Sequence, residues 1–191
     1  MPFEALMGID PLSLPASVYA ANMWGYKAAN FDPCVVASGT LVPSKGRLYL
    51  QRNYTPLSIS ATALVVEVFT AGSGLTAGQN FGCLYTGDGS LLGVTTDAST
   101  GLASAGTTTL TLASGPITIP AGYFYTGFWI NGTTAPTLGR AGTTGKSLVY
   151  GNAPAATARF VYGTASGVTT TAPATLPSLT LDSRPWWVGV V

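Results

Sequence analysis

The residues able to act as acids, bases, nucleophiles or metal ligands are few: 7 Asp+Glu, 8 Lys+Arg, 2 Cys and no His in 191 residues. A paired-carboxylate hydrolase needs two acids facing each other across a cleft, and Asp32, Glu67, Asp88, Asp97 and Asp182 are formally available. Asp88, however, lies in Gly87-Asp88-Gly89-Ser90, where Asp-Gly supplies the positive φ of a tight hairpin turn. Asp97 sits among Thr and Ser, where such a side chain caps backbone amides. Turn chemistry accounts for both. Gly72 and Gly74, followed by Gly78, lack the spacing, the lysine and the following helix of a phosphate-binding loop. Without His, an acyl-transfer triad needs another base, and Lys27, Lys45 and Lys146 stand in no nucleophile motif. Cys34 and Cys83 have no zinc-ligand spacing and no His to complete a site. The expectation is therefore no catalytic residue, no cofactor and no metal.

Aromatic side chains carry the stronger signal. Trp24, Tyr26, Tyr123, Tyr125, Trp129, Trp186 and Trp187 combine apolar bodies with polar tips, the residue types that anchor subunit interfaces. Core packing claims most of such residues, and those left over are expected to form subunit contacts. A second reading is a carbohydrate-binding module recognising host envelope glycans. It would use Tyr49, Gln51 and Asn53, with Asp88 and Asp97 from nearby loops.

These side chains must be positioned by strands. Helical periodicity is almost absent and Gly or Pro punctuates nearly every ten residues, the pattern of short strands joined by turns. In Arg47–Tyr54, alternation separates Leu48 and Leu50 from Arg47, Tyr49, Gln51 and Asn53, as a half-buried strand requires. Ala63–Phe69 is β-branched and nearly all apolar, so both its faces should be covered, and its lone Glu67 needs a polar partner or solvent. Phe81–Thr86, Leu91–Thr95 and Thr107–Leu112 follow as strands, with a polar loop over Thr96–Gly106. Gly122–Ile130 is the strongest strand, with Tyr123, Tyr125 and Trp129 on one face and Phe124, Phe128 and Ile130 on the other. Ala158–Tyr162 and Trp186–Val191 bring the count to about eight, and the Thr- and Pro-rich stretch Gly163–Asp182 reads as a surface excursion. The expected fold is all-β: an antiparallel, jelly-roll-like β-sandwich over residues 46–191, preceded by an extended, Pro-spaced arm over residues 1–45.

Charged residues make up 8% of the chain and the net charge is +1, against roughly 25% charged in ordinary domains. Clustered Lys and Arg for nucleic acid or an anionic membrane surface are absent. No apolar run approaches the roughly 20 residues of a membrane helix, and Met1–Ser17 lacks the basic start of a secretion signal. Folding in a cytoplasm is expected, with Cys34 and Cys83 as free thiols. A surface covered by Thr, Ser and Gly suits a stiff body held by neighbours in an assembly. With no His, no group ordinarily titrates between pH 5 and 8.

Several pieces together resemble a module common in tailed phages of actinobacteria. They are Gly46–Tyr54, Thr70–Phe81, Leu84-Tyr85, Gly89-Ser90-Leu91-Leu92, Pro120–Tyr125 and Asn131–Ala141. Ala156–Phe160, Leu176-Pro177 and Trp187 extend the order, so that the resemblance spans roughly residues 22 to 191. Members of that family are labelled minor tail proteins or structural virion proteins. The resemblance implies a non-enzymatic component of the virion surface, made in the host bacterial cytoplasm, with capsid or tail subunits as partners. Homo-oligomeric clustering, trimeric or otherwise cyclic, is expected by analogy with such subunits. The chain has no collagen-like repeat or appended fibre, which fits a compact decoration or adaptor subunit. Its apolar arm, Pro2 to Pro43, would lie across a neighbouring subunit and order on binding.

Overall fold

A computed structural model describes residues 22–38, 43–141, 162–166, 168, 170–176, 180–181 and 186–191. In chain order the first strands are β1 (Ala28–Ala29), β2 (Val36–Ser38), β3 (Arg47–Thr55), β4 (Ile59–Ala61), β5 (Ala63–Thr70) and β6 (Ser73–Leu75). There follow β7 (Phe81–Thr86), β8 (Leu91–Val94), β9 (Gly106–Thr111), β10 (Ile117–Ile119), β11 (Gly122–Trp129) and β12 (Gly132–Thr134). The last are β13 (Thr137–Ala141), β14 (Tyr162–Ser166), β15 (Thr180–Leu181) and β16 (Gly189–Val190). The loop after β8 holds one short helix, α1 (Ser99–Leu102).

The expected all-β class holds: the named strand pairings are antiparallel. One six-stranded sheet runs β15-β14-β3-β11-β7-β8. In the second, β9 lines one edge of β5 while β16 and β13 share the other edge, with β1 beyond β16 and β2 beyond β13. Alternation on β5 sends Leu64, Val66 and Val68 inward, where they join Tyr49, Leu84, Phe124 and Phe128 of the first sheet in one buried cluster. Trp186, Val188 and Val190 complete it.

A second buried cluster lies on the far face of the first sheet: Leu48, Leu50, Cys83, Tyr85 and Trp129, with Val168 over them. This is where the sequence reading needs its main correction. Val168 and residues 170–176 are a cover on the sheet and not a free surface excursion. The Val168 amide donates to the Gly46 carbonyl (3.1 Å), the Tyr85 hydroxyl donates to Pro173 O (2.9 Å), and the Leu91 amide donates to Ala174 O (2.9 Å). Upstream of that cover, β14 pairs with β3 over five residues. The first sheet is thus buried on both faces along much of its length, and β3 is not half-buried.

The boundary at residue 45 does not divide the fold either. β1 and β2, within the expected arm, are strands of the second sheet, opposite β16 and β13. Asn30 fastens this segment: its Nδ2 donates to Trp186 O (2.6 Å) and its Oδ1 accepts from the Val188 amide (2.9 Å). Residues 1–21, and the strand expected over residues 158–161, lie outside the described residues.

Local turn chemistry follows the sequence. Gly89 has φ +92°, the left-handed conformation that favours glycine. Beside it Asp88 accepts from the Thr86 hydroxyl and from the Ser90 amide. The Thr86 contact, then the Ser90 amide, hold this carboxyl below its usual range.

Candidate functional site

The aromatic residues expected at an interface separate into core and surface. Trp186 is fully buried, its ring centroid 4.5 Å from Tyr49 and 5.6 Å from Phe128. Trp129 packs against Phe81 at 5.1 Å beneath the cover formed by Val168 and residues 170–176. Trp187 is 3% exposed and its indole Nε1 donates to Phe31 O (3.1 Å). All three are buried in the chain, Trp186 and Trp129 within the two core clusters and Trp187 against Phe31.

Tyr49, Gln51 and Asn53, expected as glycan contacts, require the same correction. They are 1%, 0% and 3% exposed, since this face of β3 looks into the sandwich. The Tyr49 hydroxyl accepts from the Ser44 amide (2.7 Å), and Asn53 Nδ2 donates to Gln51 O (3.0 Å) and Thr126 Oγ1 (2.9 Å). No sugar reaches them without separating the sheets. Asp97 accepts from the Asn80 amide (3.2 Å), the backbone cap expected of it.

Two surfaces among the described residues bring aromatic side chains together. The first is the end of the first sheet that the cover leaves open. Tyr54 and Tyr123 are directly opposite in register, as are Arg52 and Tyr125. Tyr123 is 53% exposed and Tyr54 37%. Their rings meet at 5.2 Å and 62°, and the Arg52 guanidinium carbon lies 3.8 Å from the Tyr123 centroid. Such a cation–π contact contributes ~0.5–1 kcal/mol at exposed sites and holds the ring in place. Tyr125 is partly buried beside them, and Leu57, 42% exposed, is a further apolar surface residue near β3. Sequence alternation pairs Tyr123 with Tyr125, but Arg52 is seen only through the cross-strand register. Trp24 and Met23 form a separate exposed pair near the start of the described chain.

The second surface is a groove of about 270 Å³ on the outer face of the second sheet. Tyr26 and Trp187, edge to face at 5.1 Å, form one wall; Pro33 and Val36 form another. Glu67 and Phe69 project from β5, and the Thr107 hydroxyl donates to Glu67 Oε2 (2.7 Å). The expected polar partner of Glu67 is therefore Thr107. Burial, and then the Glu67 charge, push the Tyr26 phenol up. Sequence reasoning singled out Glu67 but missed Phe69 as a surface group, because nothing local signals that β5 emerges from the core at its end.

The two thiols are free, Cys34 exposed and Cys83 buried. Burial pushes Cys83 far up. Cys34 is also raised, by desolvation and by Asp32, whose Oδ1 accepts from the Cys34 amide (2.8 Å). A disulfide-forming reagent should therefore label one thiol in the native protein and two in denaturant. Two labelled thiols under native conditions would mean that the cover over Cys83 opens readily. Among the described residues no cluster of three or more metal-ligating side chains occurs, and no helix is long and apolar enough to cross a membrane. Compared with known proteins, the chain matches no family model and no curated protein sequence.

Proposed function

We propose that this chain is a non-enzymatic structural subunit of a tailed-phage virion, exposed on the particle as a minor tail or capsid-decoration protein. The observation that carries the reading is the pairing of a nearly ion-free chain, 8% charged, with aromatic side chains held open on an outer sheet face. Tyr54, Tyr123 and Tyr125, braced by Arg52, offer large contact area at low entropic cost, the composition of interface centres. Tyr26 adds to the groove on the opposite sheet, and Trp24 is exposed near the chain start. The order of the phage-like sequence pieces supplies the virion context; capsid or tail subunits and further copies of the chain, as a trimer, are the proposed partners. The segment before residue 22 is proposed to add an anchoring arm.

The jelly-roll form of the sandwich belongs to this proposal. It is supported by the alternation of β3, β5, β7, β9, β11, β13, β14 and β16 between the two sheets. The glycan-binding alternative loses the three contacts named for it, since all are interior.

The test is the protein content of purified particles. Mass spectrometry should find the chain in the virion, with copy number and labelled density assigning it to head or tail. Particles that lack the chain throughout infection would remove the reading.

A further inference from the structure

We infer that the groove on the outer face of the second sheet receives a guanidinium group, presented as an arginine side chain by a neighbouring subunit. The assembly reading above supplies only the source of that arginine; the chemistry of the groove stands on the isolated chain.

Register builds the site. Glu67 and Phe69 share the outward side of β5 with Val65, which faces Gly189 of β16, while Thr107 of β9 faces Glu67. Across the other edge of β5 lies Gly139 of β13. A Cβ at 139 would come within 2.6 Å of Val36, 3.0 Å of Glu67 and 3.3 Å of Phe69. A Cβ at 189 would meet Tyr26 at 2.8 Å and Trp187 at 3.1 Å. The aromatic and acidic side chains of the groove therefore pack directly on bare backbone at these two positions. Any larger residue at either position would push those side chains apart.

The lining selects charge and shape. Tyr26, Phe69 and Trp187 bring three aromatic rings to one groove, and ring faces attract cations. Glu67 supplies a carboxylate, half-buried and fixed through Oε2 by Thr107. Its Oε1 has no hydrogen-bond partner among the described residues. No lining residue of the groove carries a positive charge, and Lys27, next to Tyr26 in the chain, has its Nζ on Ser60 O (2.5 Å). A planar guanidinium can stack on a ring and bond a carboxylate at once, which an ammonium cannot do as well. A neutral sugar would need several donors and acceptors, whereas the groove hydroxyls are those of Tyr26 and Thr107, the latter already donating to Glu67. At about 270 Å³ the space falls below the roughly 300–1,000 Å³ of drug-sized pockets and suits a single side chain.

The test is an NMR titration of the ¹⁵N-labelled full chain with N-acetyl-arginine amide and, separately, with N-acetyl-citrulline amide, its neutral isostere. Saturable shifts are expected at the Gly139 and Gly189 amides and at the Trp187 indole. Citrulline should bind roughly tenfold more weakly or not at all, and Glu67→Gln, which keeps an acceptor for Thr107, should weaken arginine by a similar factor. Phe69→Ala should weaken it several-fold with Glu67 intact. Equal binding of arginine and citrulline, binding unchanged in Glu67→Gln, or no shift at these residues would overturn the inference. The arginine–citrulline comparison on the natural chain decides the matter even if a variant fails to fold. Arginine binding without incorporation into particles would sink the assembly reading alone; incorporation without arginine binding would sink this one alone.

Discussion

Trp186→Ala is expected to lower the unfolding free energy by about 3–5 kcal/mol, the range for truncating a large aromatic in a close-packed core. The indole is fully buried between the sheets, in contact with the rings of Tyr49 on β3 and Phe128 on β11. Its backbone ties more of the fold together, through Asn30 Nδ2 to its carbonyl and a bridge to Arg140 of β13. The cavity left by the ring cannot collapse easily, because strands paired on both sides hold its walls. A domain of this kind is stable by about 5–15 kcal/mol in all, so a single truncation removes a large share. Urea unfolding followed by far-UV circular dichroism measures it, with the denaturant slope unchanged if the denatured state is the same. A loss under ~1 kcal/mol would mean that the sheets do not close over this ring.

Position 186 also marks the limit of what the sequence discloses. Period-2 alternation correctly separates Leu48 and Leu50 from Tyr49, Gln51 and Asn53, and Tyr123 from Phe124. Alternation says nothing about which side is wet. On β3 neither is, at least as far as Asn53, because Val168 and residues 170–176 return to cover the face that holds Leu48 and Leu50. That stretch is Thr- and Pro-rich, a composition shared by exposed loops and by covers fastened through backbone hydrogen bonds. Trp129, Trp186 and Trp187 are interior for the same reason: burial is set by distant segments, and an aromatic residue fits core and interface equally well. Local signals fared better. The Asp88-Gly89 turn, the cap made by Asp97 and the polar partner of Glu67 depend on neighbours in sequence or on one strand pair. The groove was out of reach because its walls need β5, β13 and β16 in register, with glycines at 139 and 189 whose meaning is spatial.

Asn80→Ala should be nearly as damaging, with an expected loss of about 3–4 kcal/mol, although no aromatic or aliphatic packing is removed. Asn80 is fully buried and uses every polar atom of its side chain. Oδ1 accepts from the Asn131 amide (2.8 Å), while Nδ2 donates to Thr76 O (2.7 Å) and Ser99 Oγ (2.9 Å). Alanine would leave the buried Asn131 amide without its acceptor, and an orphaned buried donor costs ~1–3 kcal/mol by itself. Those partners belong to the connection after β6, to α1 and to the exit of β11; the short β6–β12 ladder joins the first to the third, and Asn80 ties α1 to both. Asn131 carries the linkage on, its Nδ2 donating to Gln79 O (3.1 Å) and, more weakly, toward Val168 O (3.5 Å), where the cover over Leu48, Leu50 and Trp129 begins. Asn80→Asp separates hydrogen bonding from charge: it keeps an acceptor for Asn131 but loses the donation to Thr76 and buries a carboxylate, so it should be no milder than alanine. Hydrogen exchange of the Asn131 and Val168 amides, read beside global unfolding, checks the assignment. Faster exchange at both, together with the expected loss of stability, fits a polar clasp that closes this end of the sandwich. Loss of stability with both amides still protected would place the effect elsewhere, and the cover would then be held by its contacts to Gly46, Tyr85 and the β7–β8 hairpin.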